Sequence, residues 1–489
     1  MRLPLSWLNE YVKVDDIDPK ELAEKLTRAG LQVESIETVG GNPLSDLIVV
    51  AEVVACAAHP NSDHLHVCTV TDGTDSFQVV CGAPNMRQGI KTAFAKIGAP
   101  IPAFLDKNGN PERIKKGKLR GVESFGMCCS EKELCIGEGA DGIIEYPSDT
   151  PNGTPVRDVA KLEKPEVVFD IEVTWNRPDA LSVVGLAREF AAILGRPLTL
   201  PPVDFVEGAG NVNDEVKVRV EDPAKCLRYT ARVVTRVTDG PSPALMAKRL
   251  ELCGVRSLGL VVDVTNYVLM ELGAPLHAFD YTKLAERTVV VRDAKDGETI
   301  QTLDGVTRTL DPSMLVICDA VRPNCVAGIM GGEASGISEG ATKSVFLESA
   351  LFEPTSTKYT ATRLGLSSES SYRYIRGVDK DVADFASRRA AHLLQKYGAA
   401  EIAKGVIDID NRAQPLNAPV ALDFDRARKL IGIGIDNDTM VRLLTSLGLK
   451  PTAPAASYAD VAGVTFEIPS WRWDLSMEAD LVEEVARLY

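Results

Sequence analysis

Between Leu47 and Tyr146 the chain breaks into short β-rich runs, LIVVAEVVAC, HLHVCTVTD, FQVVCGA and KTAFAKIGA, each bounded by Gly, Pro, Asn or Asp. Short strands at roughly even spacing predict a small barrel. The pattern holds only there. Upstream, Asp18-Pro19-Lys20-Glu21 combines a capping carboxylate, a proline suited to the first helical position and a Glu able to reach back to the cap. Leu22, Ala23 and Leu26 make a helical stripe and Gly30 a stop, so the first forty residues read as a small helical unit. Downstream come a strand over Val167–Val173, a turn at Asn176-Arg177-Pro178-Asp179 and a helix carrying Leu186, Phe190 and Leu194. The segment PLTLPPVDFVEGAGNVN (197–213) reads as a linker. Over 214–400, strands such as YTARVV and MLVICD mix with helices such as FASRRAAHLLQKYG, an α+β pattern. Beyond Pro415 lies a smaller module whose last helix, ADLVEEVARLY, has no stop signal and reads as cut from something longer. With 489 residues, against ~100–200 per domain, several domains are expected.

The net charge of −15 excludes a partner gripped by global positive charge. Nucleic acid would have to meet a local patch, and the Asp106–Arg120 stretch, with Lys107, Arg113, Lys115, Lys116, Lys118 and Arg120, is the one candidate inside an otherwise net-acidic segment. The ten cysteines form no C-x-x-C pair, which points to reduced thiols and a cytoplasmic location. The start has no signal-peptide pattern, and the most apolar run, Leu47–Ala58, falls short of the roughly 20 residues that span a bilayer. No membrane partner is expected.

Three side-chain groups invite chemistry. His59, His64, His66 and Cys68 lack the paired spacing of a zinc site and read as barrel residues. Glu348 sits in the apolar run VFLESALF, where a carboxylate is costly unless it finds a partner. Near the end, Asp480, Glu483 and Glu484 share one helix face beside Asp474, where like charges repel unless a cation or partner compensates.

Seven segments, in order, carry a family resemblance: HPNSDHLHVCTVTDG (59–73), VVCGAPNMRQGIK (79–91), IKKGKLRGVESFGMCCSEKEL (114–134), VFDIEVTWNRPDALSVVGLARE (168–189), LVVDVTNYVLMELGAPLHAFD (260–280), AGIMGGEASGISEGATKSVFLESALF (327–352) and PSWRWDLSMEADLVEEVARLY (469–489). Together they resemble the β subunit of bacterial phenylalanine–tRNA ligase, and the resemblance covers essentially the whole chain. It implies a multidomain α+β protein: a helical unit at 1–39 packing with 150–200, an OB-fold tRNA-binding β-barrel at 40–149, a connecting segment at 150–213, a large α+β editing domain at 214–400 and a winged-helix-like α+β module at 401–489.

The resemblance also implies partners and sites. Family members pair with an α subunit, as an α2β2 assembly, which joins Phe to its tRNA using ATP; aminoacylation is not expected from this chain alone. Lys115, Lys116, Lys118 and Arg120 would contact tRNA. An editing pocket hydrolysing Tyr wrongly attached to the tRNA for Phe would comprise His277, Glu348, Arg256, Thr265, Asn266, Pro275 and Gly332. Ser368 and Ser370 would join it, standing in a segment where the family commonly has Thr and Ala. Asp474, Asp480, Glu483 and Glu484 match a magnesium site at the α-subunit border. For the isolated chain, the spacing predicts a loose final helix with mobile residues after Ala479.

Overall fold

The computed structural model describes residues 1–40, 44–107, 109–160 and 165–489. It divides into two units, Thr38–Glu166 and the remainder, Met1–Glu37 with Val167–Tyr489.

In the first unit the long strand Ile48–Ala58 pairs antiparallel with His66–Thr71 on one side and Lys91–Lys96 on the other. Ser76–Cys81 and Gly126–Cys128 complete a five-stranded sheet as its outer members. The sheet curls until the Phe125 N–H donates to the Gln78 carbonyl at 2.9 Å, bringing its two edges together as a barrel. Val49, Ala51, Val53, Val70, Val79 and Phe94 fill one core, while Ile48, Val50, Ala93, Ala95 and Leu134 fill a second. Ile48–Ala51 is therefore buried on both faces, which is why its sequence is continuously apolar rather than alternating.

The second unit is built on a six-stranded sheet. Val345–Phe352 lies between Cys226–Thr235 and Leu276–Asp280, and Glu401–Lys404 and Ile407–Asp410 both pair with Cys226–Thr235. Helices Leu260–Leu272 and Val382–Gly398 supply Val264, Val268, Ala386, Ala390 and Leu394 to a core that also contains Val234 and Leu347. The same core takes in Trp7, Leu22 and Leu26 from the N-terminus and Leu186 and Phe190 from helix Val183–Leu194. A second sheet runs Lys217–Val220, Thr288–Asp293, Leu315–Cys318, Pro323–Val326, Met330–Gly331.

Several expectations need correction. The first forty residues are not purely helical: Arg2–Pro4 and Val33–Val39 flank Glu166–Ile171 in a three-stranded sheet. The linker at 197–213 contains a strand, Glu207–Asn211, which pairs in parallel with Glu401–Lys404 and so covers an edge of the large sheet. Because Glu401–Asp410 serves that sheet, the C-terminal module starts later than residue 401. It comprises the three-stranded sheet of Val420–Asp423, Lys450–Pro451 and Gly463–Glu467 with helices Phe424–Ile431, Asn437–Ser446 and Glu478–Leu488.

The final helix is not loose. Leu481, Val482 and Val485 are buried against Phe424, Met440 and Phe466. Its buried carboxylate is paired rather than repelled. Glu484, 3% exposed, accepts from Arg472 at 2.7 Å and from Arg487. Arg487 reaches Glu189 at 2.6 Å, and Glu189 accepts in turn from Arg177 at 2.6 Å. Arg472 also holds Asp474 through two hydrogen bonds of 2.7 and 2.8 Å.

Both guanidiniums hold the Glu484 carboxyl down at a pKa of about 2, against the cost of burial. A carboxyl depressed in the fold contributes stability that is fully present above its unfolded value near 4.5 and is lost as the pH falls towards 2. Removing one partner of a buried pair leaves an uncompensated charge. Arg472→Ala is therefore expected to cost about 3–5 kcal/mol in urea denaturation at pH 7, with the deficit against the parent chain shrinking between pH 4.5 and 2. A deficit unchanged across that window would show that Arg472 acts only by packing.

Candidate editing pocket

The strand Val345–Phe352 is buried at all eight positions. Antiparallel pairing sets Glu348 opposite Ala231 on one neighbouring strand and His277 on the other. The Tyr229 hydroxyl donates to Glu348 Oε2 at 2.8 Å. Burial pushes the Glu348 carboxyl up to about 8, and the Tyr229 hydrogen bond opposes this only in part. Burial pushes the His277 imidazole down to about 4. At neutral pH the site thus holds a neutral acid facing a neutral base. The His277 ring stands edge-on to Phe279 at 4.4 Å, and its buried Nε2 has no hydrogen-bond partner among the described residues.

His277 and Leu276 line two adjoining cavities. The inner one, of about 80 Å3, is lined by Pro275, Gly328, Gly331, Glu348, Ser370 and Tyr374 among others. The outer one, of about 420 Å3, is lined by Thr265, Asn266, Leu303 and Ile337, with Asp239 and Glu339 as its acids. Larger cavities of about 610 and 620 Å3 lie over Lys217–Val220 and beside Phe104–Lys115. Neither holds a side chain whose charge burial has removed, so the chemistry points to the smaller pair.

The structure thus brings Glu348, His277, Pro275 and Ser370 to the inner cavity, and Thr265 and Asn266 to the outer one. Arg256 is exposed and lines neither. Gly332 is occupied elsewhere, its N–H donating to the Asn324 carbonyl at 2.7 Å. Gly331 takes the place expected of it: a Cβ there would lie 2.4 Å from His277 Cε1, so only glycine leaves room for the ring. Ser368 caps helix Glu369–Tyr374 and donates to the Ile329 carbonyl at 2.7 Å, a structural duty. Ser370 donates to the Gly328 carbonyl at 3.2 Å, tying that helix to the pocket wall. Tyr229 and Tyr374 were missed. Strand alternation places Tyr229 on one face with Ala231, but only the register shows that this face meets Glu348.

In the barrel unit, Gly117–Leu119 and Val122–Ser124 form a hairpin turning at Arg120-Gly121. Lys115, Lys116, Lys118 and Arg120 are exposed on or beside it. Lys116 pairs with Glu123 at 2.9 Å and Arg120 donates to the Asn61 carbonyl at 3.3 Å. No ion pair engages Lys115 or Lys118 among the described residues.

The magnesium expectation meets a donor set already in use. Both oxygens of Asp474 bind Arg472, and both of Glu484 bind Arg472 or Arg487. Asp480 Oδ2 accepts the Ser476 and Met477 N–H groups at the helix start. Glu483 is exposed. No three His, Cys, Asp or Glu side chains among the described residues are grouped to hold a metal. As arranged here the four carboxylates do not fit a magnesium ion, which would have to displace buried guanidiniums.

Three domain families match separate parts of the chain. A tRNA-binding domain family matches residues 48–155, the B3/4 domain family residues 225–399 and the tRNA synthetase B5 domain family residues 420–489. The chain is a homologue of phenylalanine–tRNA ligase β subunits along its whole length. It is 45% identical over 488 residues to that of Anaeromyxobacter dehalogenans and 42% identical over 489 residues to that of Syntrophus aciditrophicus. All of this chain is matched, and it spans 58% and 59% of those relatives' lengths. A solved N-terminal fragment of the β subunit from Pyrococcus horikoshii aligns over 66% of this chain and 87% of its own, at 16% identity and a TM-score of 0.35.

The raised carboxyl has a consequence for stability. Between about 4.5 and 8 the folded chain keeps a proton on Glu348 that the unfolded chain has lost, so stability from this group is present below 4.5 and lost as the pH rises through 8. Glu348→Gln removes that ionisation. The stability of the parent chain relative to Glu348→Gln is expected to fall by about 1.4 kcal/mol per pH unit across this window and to level off above it. A pH-independent difference in paired denaturation curves would place the Glu348 proton elsewhere.

Proposed function

We propose that this chain supplies the tRNA-contacting and editing functions of a phenylalanine–tRNA ligase β subunit. On this reading its pocket hydrolyses tyrosine wrongly esterified to the tRNA for phenylalanine. The chain also supports a cytoplasmic α subunit that joins Phe to tRNA with ATP in an α2β2 assembly. The five-stranded barrel is read as an OB-fold presenting the Lys115–Arg120 hairpin to RNA phosphates, and the C-terminal module as winged-helix-like. The observation that carries the editing reading is the buried Glu348 carboxyl, held by Tyr229 at 2.8 Å in the cavity that His277 also lines.

The selectivity problem explains such a group. Tyrosine exceeds phenylalanine by one hydroxyl, and an apolar site rejects an added hydroxyl by only about 10²-fold. A second site that requires the hydroxyl does better, because phenylalanine leaves the buried acid without its partner. A protonated Glu348 can accept the phenol O–H and still donate its own proton, so it needs no counter-ion to remain buried. In the hydrolysis itself, water adds to the ester carbonyl carbon, the acyl C–O bond breaks and the ribose oxygen takes a proton. His277 is a weak base at a pKa of about 4 and would hold a proton poorly at pH 7. Its Nε2 is suited to orienting the water, and the adjacent ribose hydroxyl can share the proton transfer.

The size of the inner cavity favours a second reading. About 80 Å3 is room for a few waters at about 30 Å3 each, so a pocket that binds tRNA nearby without editing is the alternative. Deacylation of Tyr-tRNA separates the two. Glu348→Ala is expected to slow it roughly 10–100-fold, the cost of losing a buried hydrogen-bond partner, with tRNA affinity unchanged and with a smaller loss in His277→Ala. Equal rates in the parent chain and Glu348→Ala would remove the editing assignment.

A further inference from the structure

A cluster of rings and cations lies beside this pocket and takes no part in the chemistry above. Trp175 follows the strand Glu166–Ile171 and is 56% exposed. The Arg376 guanidinium stacks between two rings, 3.9 Å from the Trp175 centroid and 3.5 Å from that of Tyr372. Lys358 approaches the Trp175 ring at 5.6 Å, and its neighbour Tyr359 is half exposed. In a chain of net charge −15, neither Arg376 nor Lys358 has a carboxylate partner among the described residues. Among the described residues Arg376 Nε is buried without a partner, and Nη1 donates to the Tyr372 carbonyl at 3.1 Å. Two uncompensated cations held against exposed aromatic rings make a poor device for stability, since an exposed cation–π contact contributes little. They make a good surface for a ligand with flat rings and negative charge.

The position narrows the ligand. Tyr372 lies two residues beyond Ser370 on the same short helix, Glu369–Tyr374, and Ser370 lines the inner cavity. Two residues turn about 200° around a helix whose diameter with side chains is about 10–12 Å. The ring cluster and the pocket are thus on opposite sides of one helix, a separation that a single-stranded polynucleotide end can bridge. We propose that Trp175, Tyr372, Arg376 and Lys358 form a stacking platform for the unpaired 3′ segment of an RNA whose terminal, aminoacylated residue enters the pocket. The proposal rests on the reading of that pocket as an editing site. A base stacks on the open face of Trp175, and Arg376 and Lys358 face the phosphates on either side of it. Acidic peptide is the other ligand of matching charge, but it offers no ring to stack on Trp175.

The test uses a short, labelled, single-stranded oligoribonucleotide without an amino acid, so binding is read independently of hydrolysis. Fluorescence anisotropy is expected to show Trp175→Ala binding about 5–100-fold more weakly, and Trp175→Phe retaining most of the affinity. Arg376→Gln should flatten the log–log salt dependence by roughly 0.7. The duplex of the same sequence should lose nothing on Trp175→Ala. With Tyr-tRNA as substrate, Trp175→Ala should raise KM and leave kcat near its parent value. If the oligonucleotide binds the parent and Trp175→Ala equally, with both folded by circular dichroism, the platform is overturned. It is overturned equally if polyglutamate, and not RNA, shows the Trp175 dependence. If RNA binding depends on Trp175 while no variant or parent deacylates Tyr-tRNA, the platform stands and the editing reading fails.

Discussion

An interior strand of the large sheet carries a carboxyl group that cannot afford to ionise. Glu348 lies midway along a strand buried at every position, with a paired strand on each side. An isolated carboxylate there would be prohibitively unfavourable, and the group keeps its proton instead. The rest of the pocket follows from that choice. Tyr229 supplies one hydrogen bond, His277 across the ladder is stripped of its charge by the same burial, and Gly331 gives up a side chain so that the imidazole fits.

A second buried charge problem, at the end of the chain, is solved the opposite way. Glu189 is paired with Arg177 and Arg487, and Glu484 with Arg472 and Arg487, whose guanidiniums hold the Glu484 carboxyl below its ordinary range. That network ties the turn after Trp175, the helix Val183–Leu194 and the final helix into one piece. It also accounts for the fate of the acidic cluster. Carboxylates that look from their spacing like a cation site are taken up by other groups: Arg472 holds Asp474 and Glu484, Arg487 holds Glu484, and backbone N–H groups of Ser476 and Met477 hold Asp480. Neutralisation leaves a group free to meet a substrate, whereas pairing consumes it. This difference separates Glu348 as a functional candidate from Glu484 as a structural one.

Much of this was legible from sequence where the signal is local. The even spacing of short strands marked the barrel, the cap at Asp18 marked its helix, whose N–H groups at Lys20 and Glu21 it accepts, and a lone acid in VFLESALF marked Glu348. What was misread depends on partners distant in the chain. Glu207–Asn211 looks like linker because its β character comes only from pairing with Glu401–Lys404. Gly331 and Gly332 are indistinguishable until the strand Leu276–Asp280 places His277 against one of them. Tyr229 required the register between two strands more than a hundred residues apart.

The account turns on the protonation state of one side chain, and that can be observed directly. Carbon-13 labelling of glutamate, with the Glu348 carboxyl signal assigned by its absence in Glu348→Gln, allows a titration of this group by NMR. The account predicts a carboxyl that stays protonated through pH 7 and titrates near 8. A midpoint near 4.5, the ordinary value for glutamate, would mean that the acid is ionised and solvated in the working protein, and would contradict it.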